Sequence, residues 1–132
     1  MNHKLLKMFA LAKEISKLSN ITKYDIGAVL ITKKFEVIGV GTNGNKTHPE
    51  QAKFARLVGL PEKQFLHAEL QCLVNAKQRN LHGASIVVYR ESRDGLRALA
   101  RPCPICIAAL RHYGINKIYY TTPDGYASEF LS

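Results

Sequence analysis

Apolar and polar residues follow two spacings along the chain, one typical of helices and one typical of strands. Residues 3–18 place apolar side chains at helical spacing with lysines opposite, which predicts an amphipathic helix packed on a flat surface. Apolar, β-rich runs at 26–32 and 36–40 flank Lys33 and Lys34, which predicts a β-hairpin. Further helices are predicted at 48–58, 65–79 and 103–113, and further strands at 85–89 and 115–121. This order indicates an α/β domain whose helices cover a sheet, with a C-terminal tail too short to assign.

Length and composition predict a single domain over residues 1–132. A chain of this length can bury a core, and 46% hydrophobic with 22% charged residues is typical of globular proteins. The longest apolar run, residues 105–110, is far shorter than a membrane span, and the N-terminus has no signal-peptide pattern. Three cysteines without an export signal favour metal or redox chemistry. We therefore expect a cytoplasmic protein with no membrane partner.

The charge balance is strongly basic. Lysine and arginine number 19 against 10 aspartates and glutamates, a formal net charge of +9. Such a charge suits an anionic partner, which is either a phosphorylated small molecule or a nucleic acid. Improved solubility alone is the third interpretation.

Two short motifs supply side chains that bind metals, His67-Ala68-Glu69 and Pro102-Cys103-Pro104-Ile105-Cys106. One imidazole and two thiols make three zinc ligands, which leave one tetrahedral position open for water, as a catalytic zinc requires. Such a zinc lowers the pKa of its water from 15.7 towards about 7 and so gives hydroxide as the nucleophile. Both thiols are expected in the first turn of a helix, whose positive end favours thiolates.

Glu69 follows His67 by two residues and is too close to be an ordinary fourth ligand. In a regular helix this spacing turns the two side chains about 200° apart, but a residue at the helix N-terminus lies outside the regular turn. Glu69 can then face the water and act as general base and acid. Two alternatives stay open: a structural zinc site completed by Cys72, and a redox Cys-x-x-Cys that leaves His67 unused. Cys72 itself is expected in the core of an apolar helix face.

With these motifs in place, the chain resembles the cytidine/deoxycytidylate deaminase superfamily over about residues 3–122. H-x-E followed by P-C-x-x-C is the signature of zinc-dependent nucleobase deaminases. The resemblance implies a three-layer α/β/α sandwich around a mixed five-stranded sheet, and water replacing an exocyclic amine with release of ammonia. It implies Zn²⁺ bound by His67, Cys103 and Cys106, and Glu69 as proton shuttle. The supporting segments are Ile26-Gly27-Ala28-Val29-Leu30, Gly41-Thr42-Asn43-Gly44 and Gly114-Ile115-Asn116-Lys117-Ile118-Tyr119-Tyr120.

The same resemblance suggests contacts with the substrate. Asn43 would hydrogen-bond the sugar, with a turn role as the alternative, and the backbone of Ala68 would meet the base edge. Tyr119 and Tyr120 point to opposite faces of a strand, so at most one reaches the pocket, and Tyr120 is preferred. The His-Ala-Glu motif and the Gly-Thr-Asn-Gly loop are similar to deoxycytidylate deaminases, whereas tetrameric cytidine deaminases usually use Cys-Ala-Glu.

The chain departs from the family pattern between Tyr89 and Pro102, where twelve residues replace a few. Four of these are arginines, at positions 90, 93, 97 and 101. This segment lies on the path into the site, where it could clamp a phosphate or follow a nucleic-acid backbone. Arg97, Arg101 and Lys23 are the expected phosphate contacts.

These observations predict a zinc-dependent hydrolytic deaminase of a cytosine nucleotide, converting dCMP to dUMP. The alternative is a deaminase of tRNA adenosine or single-stranded DNA cytosine, which the net charge favours. Against it, residues 90–101 contain no aromatic residue on which a base could stack. A catalytically idle zinc-binding domain is the third hypothesis, and the intact Glu69 argues against it. A homo-oligomer is expected by analogy with relatives.

Overall fold

The computed structural model describes residues 2–19, 24–44, 48–60, 67–92 and 94–131. Within these ranges the chain forms four helices and five strands. In chain order they are α1 (His3–Ser16), β1 (Tyr24–Ile31), β2 (Val37–Thr42), α2 (Pro49–Leu57), α3 (Ala68–Val74), β3 (Ser85–Ser92), α4 (Pro104–His112), β4 (Lys117–Thr122) and β5 (Gly125–Phe130).

The five strands form one mixed sheet in the order β2-β1-β3-β4-β5. β1 runs antiparallel to both β2 and β3, β3 and β4 are parallel, and β5 returns antiparallel to β4. A parallel pair needs a crossover connection, and α4 provides it between β3 and β4. The N-terminus of α4 therefore follows the carboxyl end of β3, where the arginine-rich segment leaves the sheet.

Helices cover both faces of the sheet, with α1 on one face and α2, α3 and α4 on the other. Successive residues of a strand point to these opposite faces. Val29 and Ile31 of β1 pack against Phe9 and Ala12 of α1 on one face. The alternate residues of β1, such as Leu30, join the larger core beneath the other helices. The result is the three-layer α/β/α arrangement that the sequence predicted. Among the described residues, no helix is long and apolar enough to cross a membrane.

The bounds of most elements differ from the predicted ones by a few residues, and three of the differences are larger. The helix predicted at 65–79 ends at Val74, because the chain turns there and the Lys77 backbone N–H bonds to the Ile38 carbonyl at 2.7 Å; residues 65 and 66 lie outside the described ranges. β3 continues to Ser92, into the predicted loop, because it pairs with β1 as far as Tyr24. β5, which could not be assigned from its pattern, is an edge strand whose residues alternate between half-buried and exposed.

Candidate active site

Two helix N-termini bring the three expected zinc ligands together. His67 precedes α3 in an extended conformation (φ −84°, ψ 156°), and Cys103 precedes α4 in a similar one (φ −70°, ψ 168°). Cys106 lies in the first turn of α4. The Nδ1 atom of His67 is 3.4 Å from the Cys103 sulfur and 3.3 Å from the Cys106 sulfur. All three ligand atoms lie within 4.8 Å of one another.

This arrangement fits a zinc ion. A tetrahedral zinc with bonds of about 2.3 Å to sulfur and about 2.0–2.1 Å to nitrogen holds these ligands about 3.6 Å apart. The observed separations of 3.3 and 3.4 Å are close to that value, so small movements of the three side chains would suffice. The donor set of one imidazole and two thiols is also one that zinc prefers.

The pKa values of the two thiols are shifted in opposite directions. A hydrogen bond from Cys106 lowers the pKa of the Cys103 thiol to about 4. The same hydrogen bond, together with burial, raises the pKa of Cys106 well above its ordinary value. A metal binds the thiolate form, so metal binding releases protons from such a pair and becomes more favourable as the pH rises.

Glu69 is almost completely buried beside these ligands, with 5% of its surface exposed. Because His67 lies outside the helical turn, Glu69 is only the second residue of α3 and lines the same cavity as His67 and Cys103. Burial raises the pKa of its carboxyl, while the charge of His67 opposes that rise. Its Oε1 atom has no hydrogen-bond partner among the described residues. A buried carboxylate oxygen without a protein partner is costly, and such an atom is suited to exchange protons with a bound molecule.

A small cavity of about 130 Å³ opens onto Glu69, His67 and Cys103. Its wall is formed by the start of β1, by the residue that follows β2 and by the segment 90–101. From these parts come Tyr24, Ile26, Asn43, Arg90, Leu99, Ala100 and Arg101. Both ends of the arginine-rich segment therefore line the cavity.

Asn43 lies in this wall with 6% of its surface exposed. Its Oδ1 accepts a hydrogen bond from the Ile26 backbone N–H at 3.0 Å, and its Nδ2 donates to the Tyr24 carbonyl at 3.3 Å. The side chain therefore fastens the end of β2 to the start of β1. An amide nitrogen carries two N–H donors, so this role is compatible with a further bond to a ligand.

Ala68 and Tyr120 lie outside the group of residues that line the cavity. Ala68 begins α3, is fully buried, and has its carbonyl oxygen directly against Gly41 of β2. Tyr120 faces the core, and its hydroxyl donates to Glu129 at 2.7 Å. The proposed contact of the Ala68 backbone with the base stays a prediction, whereas the structure gives the Tyr120 hydroxyl a protein partner instead.

Of the residues expected to contact the phosphate, Arg101 lines the cavity and Arg97 does not. Arg101 lines the cavity, but Glu129 of β5 binds its guanidinium through two bonds, at 2.6 and 3.1 Å. Arg97 lies against the Tyr126 ring, 5.0 Å from its centroid, and lines a separate groove beside α1. Lys23 and Arg93 lie outside the described residues.

The two alternative interpretations of the cysteines gain no support. Cys72 is fully buried in the core, and its backbone carbonyl lies 2.6 Å from the place where a Cβ on Gly39 would be. Among the described residues, the group that could hold a metal contains His67, Cys103 and Cys106 and does not include Cys72. Because both sulfurs of the Cys-x-x-Cys lie beside His67, the arrangement matches a metal site better than an isolated dithiol.

Several residues that shape the site were missed by the sequence analysis. Gln51 of α2 is fully buried, and its Oε1 accepts a hydrogen bond from the His67 backbone N–H at 3.2 Å. Tyr24 and Arg90 both line the cavity, with the guanidinium 4.2 Å from the ring centroid. A polar residue on the inner side of α2 was a weak signal for Gln51. Tyr24 and Arg90 meet through strand pairing, which the local sequence does not reveal.

Comparison with known proteins agrees with this geometry. The model of the cytidine and deoxycytidylate deaminase zinc-binding region matches residues 2–122, so the chain belongs to this deaminase family. Family membership and the His/Cys/Cys group together identify the metal as zinc. In sequence, no curated protein matches the chain significantly.

Solved structures of deaminases share the fold. A dCMP deaminase from the cyanophage S-TIM5, in complex with dCMP and dUMP, is 18% identical with a TM-score of 0.62, covering 92% of this chain and 84% of that one. A cytidine deaminase from Burkholderia pseudomallei is 16% identical with a TM-score of 0.63, covering 99% and 94%. A cytidine deaminase from Mycobacterium leprae is 14% identical with a TM-score of 0.57, covering 96% and 94%. Identities this low show the fold and leave the substrate open.

Proposed function

We propose that the protein is a hydrolytic deaminase of a cytosine nucleotide, with dCMP as substrate and dUMP and ammonia as products. One observation carries the proposal. The buried carboxylate of Glu69, with an oxygen that has no partner in the described part of the chain, lines the same small cavity as two of the three zinc ligands. A purely structural metal site does not require a buried carboxylate beside the metal.

The residues divide the work of the reaction. His67, Cys103 and Cys106 would hold the zinc ion, which when bound supplies a Lewis acid that activates water. Glu69 would carry one proton from the attacking water to the ring nitrogen. It would then carry a second proton, from the hydroxyl newly bound to the ring carbon, to the amine, which leaves as ammonia as the carbonyl forms. Because burial raises the pKa of the Glu69 carboxyl, that group is a stronger base than an exposed carboxyl.

The size of the cavity suits part of a nucleotide, not a whole one. Its volume of about 130 Å³ is well below the roughly 300–1,000 Å³ of sites that enclose a whole drug-sized ligand. The site would therefore enclose only the base, while the sugar and phosphate lie towards Tyr24, Asn43 and Arg90 at the mouth. The dCMP and dUMP bound to the cyanophage enzyme are consistent with such a substrate.

A polynucleotide is the second candidate substrate, and one observation favours it. Two arginines of the segment 90–101 stack on aromatic rings from other parts of the chain, Arg90 on Tyr24 and Arg97 on Tyr126. The sequence alone showed no aromatic residue within that segment. Alternating cationic and aromatic side chains are typical of surfaces that bind single strands.

Ammonia release by the purified zinc-loaded protein distinguishes these candidates. The substrates to compare are dCMP, deoxycytidine, cytidine, single-stranded DNA and a tRNA anticodon stem. We expect the highest kcat/KM with dCMP. Activity on polynucleotide alone, falling steeply as salt is added, would reject dCMP and support the second candidate, because salt weakens phosphate contacts.

A further inference from the structure

Arg90 is a basic residue of the cavity wall that strand pairing and an aromatic contact hold in place. It lies near the end of β3, opposite Ile26 of β1, and its side chain is on the sheet face that carries the zinc ligands. The guanidinium lies over the ring of Tyr24, and both residues line the cavity. Strand pairing and this contact thus hold the group in place before any ligand arrives.

The hydrogen-bonding capacity of Arg90 is largely unused. Its Nη1 donates to the Leu99 carbonyl at 3.5 Å, which is a long contact. Its Nε is buried and has no hydrogen-bond partner among the described residues. A guanidinium has five N–H donors in a planar fork, and a buried donor without an acceptor is costly. An acceptor supplied by a ligand would remove that cost.

The other arginine at the cavity is already neutralised. Glu129 binds the Arg101 guanidinium through two oxygens, and Tyr120 adds a third bond to the same carboxylate. Within the described part of the chain, no carboxylate lies within ion-pair distance of Arg90. Of the two arginines that the structure describes in the cavity wall, Arg90 is therefore the one whose charge is available to a substrate.

We propose that Arg90 recognises the 5′-phosphate of the nucleotide and sets the preference of the enzyme for a nucleotide over a nucleoside. This inference rests on the proposed function and assigns a specific residue to it. The planar fork of arginine matches the geometry of phosphate oxygens and can bind them through two bonds. Tyr24 would act as a positioning residue that keeps the guanidinium at the mouth.

The test compares substrates with and without the phosphate. We would measure kcat/KM for dCMP and for deoxycytidine in the wild type, in Arg90→Gln and in Arg111→Gln. Arg111 is an exposed residue in the last turn of α4, so its substitution removes the same charge far from the cavity. For Arg90→Gln we expect kcat/KM for dCMP to fall about 10- to 150-fold, mainly through KM, as for the loss of a hydrogen bond to a charged group. Deoxycytidine turnover should change by less than about threefold, and Arg111→Gln should resemble the wild type.

Two outcomes would overturn the assignment. Equal losses on dCMP and deoxycytidine would mean that Arg90 serves only the structure, and an unchanged dCMP preference would mean that another group binds the phosphate. Arg90→Lys separates charge from geometry, because it should recover only part of the preference if the fork matters. Zinc content and Tm of each variant would show whether folding is preserved.

A binding measurement separates this proposal from the proposed function. The affinities of the wild type and Arg90→Gln for dUMP and deoxyuridine can be compared by calorimetry without any turnover. We expect the wild type to bind dUMP at least 10-fold more tightly than deoxyuridine, and Arg90→Gln to lose most of that difference. If this holds but dCMP releases no ammonia, the reaction is wrong and the phosphate site stands. If neither protein distinguishes dUMP from deoxyuridine, the Arg90 assignment is wrong.

Discussion

Gly41 offers the sharpest test of how the fold positions the site. It lies in β2, and a Cβ placed on it would collide with the Ala68 carbonyl oxygen. That Cβ would also lie 2.8 Å from the Cβ of Gln71 and 2.9 Å from the Cys72 backbone nitrogen. Two of these three neighbours are backbone atoms of α3, which cannot rotate away as a flexible side chain could. Gly41→Ala should therefore push the N-terminal turn of α3 off the sheet.

The expected cost follows from that geometry. Overpacking a core by one methyl group costs about 1–3 kcal/mol, and contacts with backbone place Gly41→Ala at the upper end, about 3 kcal/mol. For a chain of this size, each kcal/mol lowers Tm by roughly 3–4 °C, so the substitution should lower Tm by about 10 °C. The same movement displaces His67 and Glu69, which flank the start of α3.

Thermal unfolding of the zinc-loaded and chelator-treated protein measures both effects. Gly41→Ala should lower Tm in both forms, and more in the zinc-loaded form, because a displaced His67 weakens zinc binding and metal binding is coupled to folding. Gly125→Ala is the matched control, since nothing lies within 4 Å of a Cβ there. Equal stability of the two variants would refute the close approach of α3 to β2.

Three further predictions concern the zinc site. Gln51→Leu removes the acceptor for the His67 backbone N–H and should therefore lower zinc affinity by about 10-fold or more. Competition with a chelator measures this affinity. An unchanged affinity would mean that Gln51 does not position His67. Cys103→Ala should lose stoichiometric zinc together with the stability that zinc confers, and retention of one zinc per chain would contradict its assignment as a ligand. Cys72→Ala should keep one zinc per chain while lowering Tm, because the thiol only fills the core, and a loss of zinc would instead make it a fourth ligand.

Much of the zinc site could be predicted from the sequence, because its chemistry depends on residue types at short spacing. His67-Ala68-Glu69 and the Cys-x-x-Cys each need only a helix start to place their side chains, and both starts were predicted close to where they lie. The fold brings the two motifs together, and the expected fold came from the resemblance to the deaminase superfamily. The position of Cys72 in the core followed from its apolar neighbours alone.

The wall of the cavity could not be predicted in the same way. Tyr24 and Arg90 are 66 positions apart in the chain and meet because β3 continues to pair with β1 beyond the apolar run that marked the strand. Arg101 was expected at the phosphate, but its pairing with Glu129 depends on β5, whose pattern is too weak for an edge strand to be recognised. Pairing between distant parts of the chain thus determines which arginine is available to a substrate phosphate. Local sequence patterns do not predict such pairing.

The central claim is that Glu69 moves the protons of a hydrolytic deamination, and Glu69→Gln tests it most directly. The variant keeps the size and the three zinc ligands but removes the basic carboxylate. Ammonia release from dCMP and zinc content would be measured for both proteins. We predict one zinc per chain in each, ammonia release by the wild type, and a loss of at least about 10²-fold in kcat for Glu69→Gln. Turnover by zinc-loaded Glu69→Gln at the wild-type rate would contradict this account.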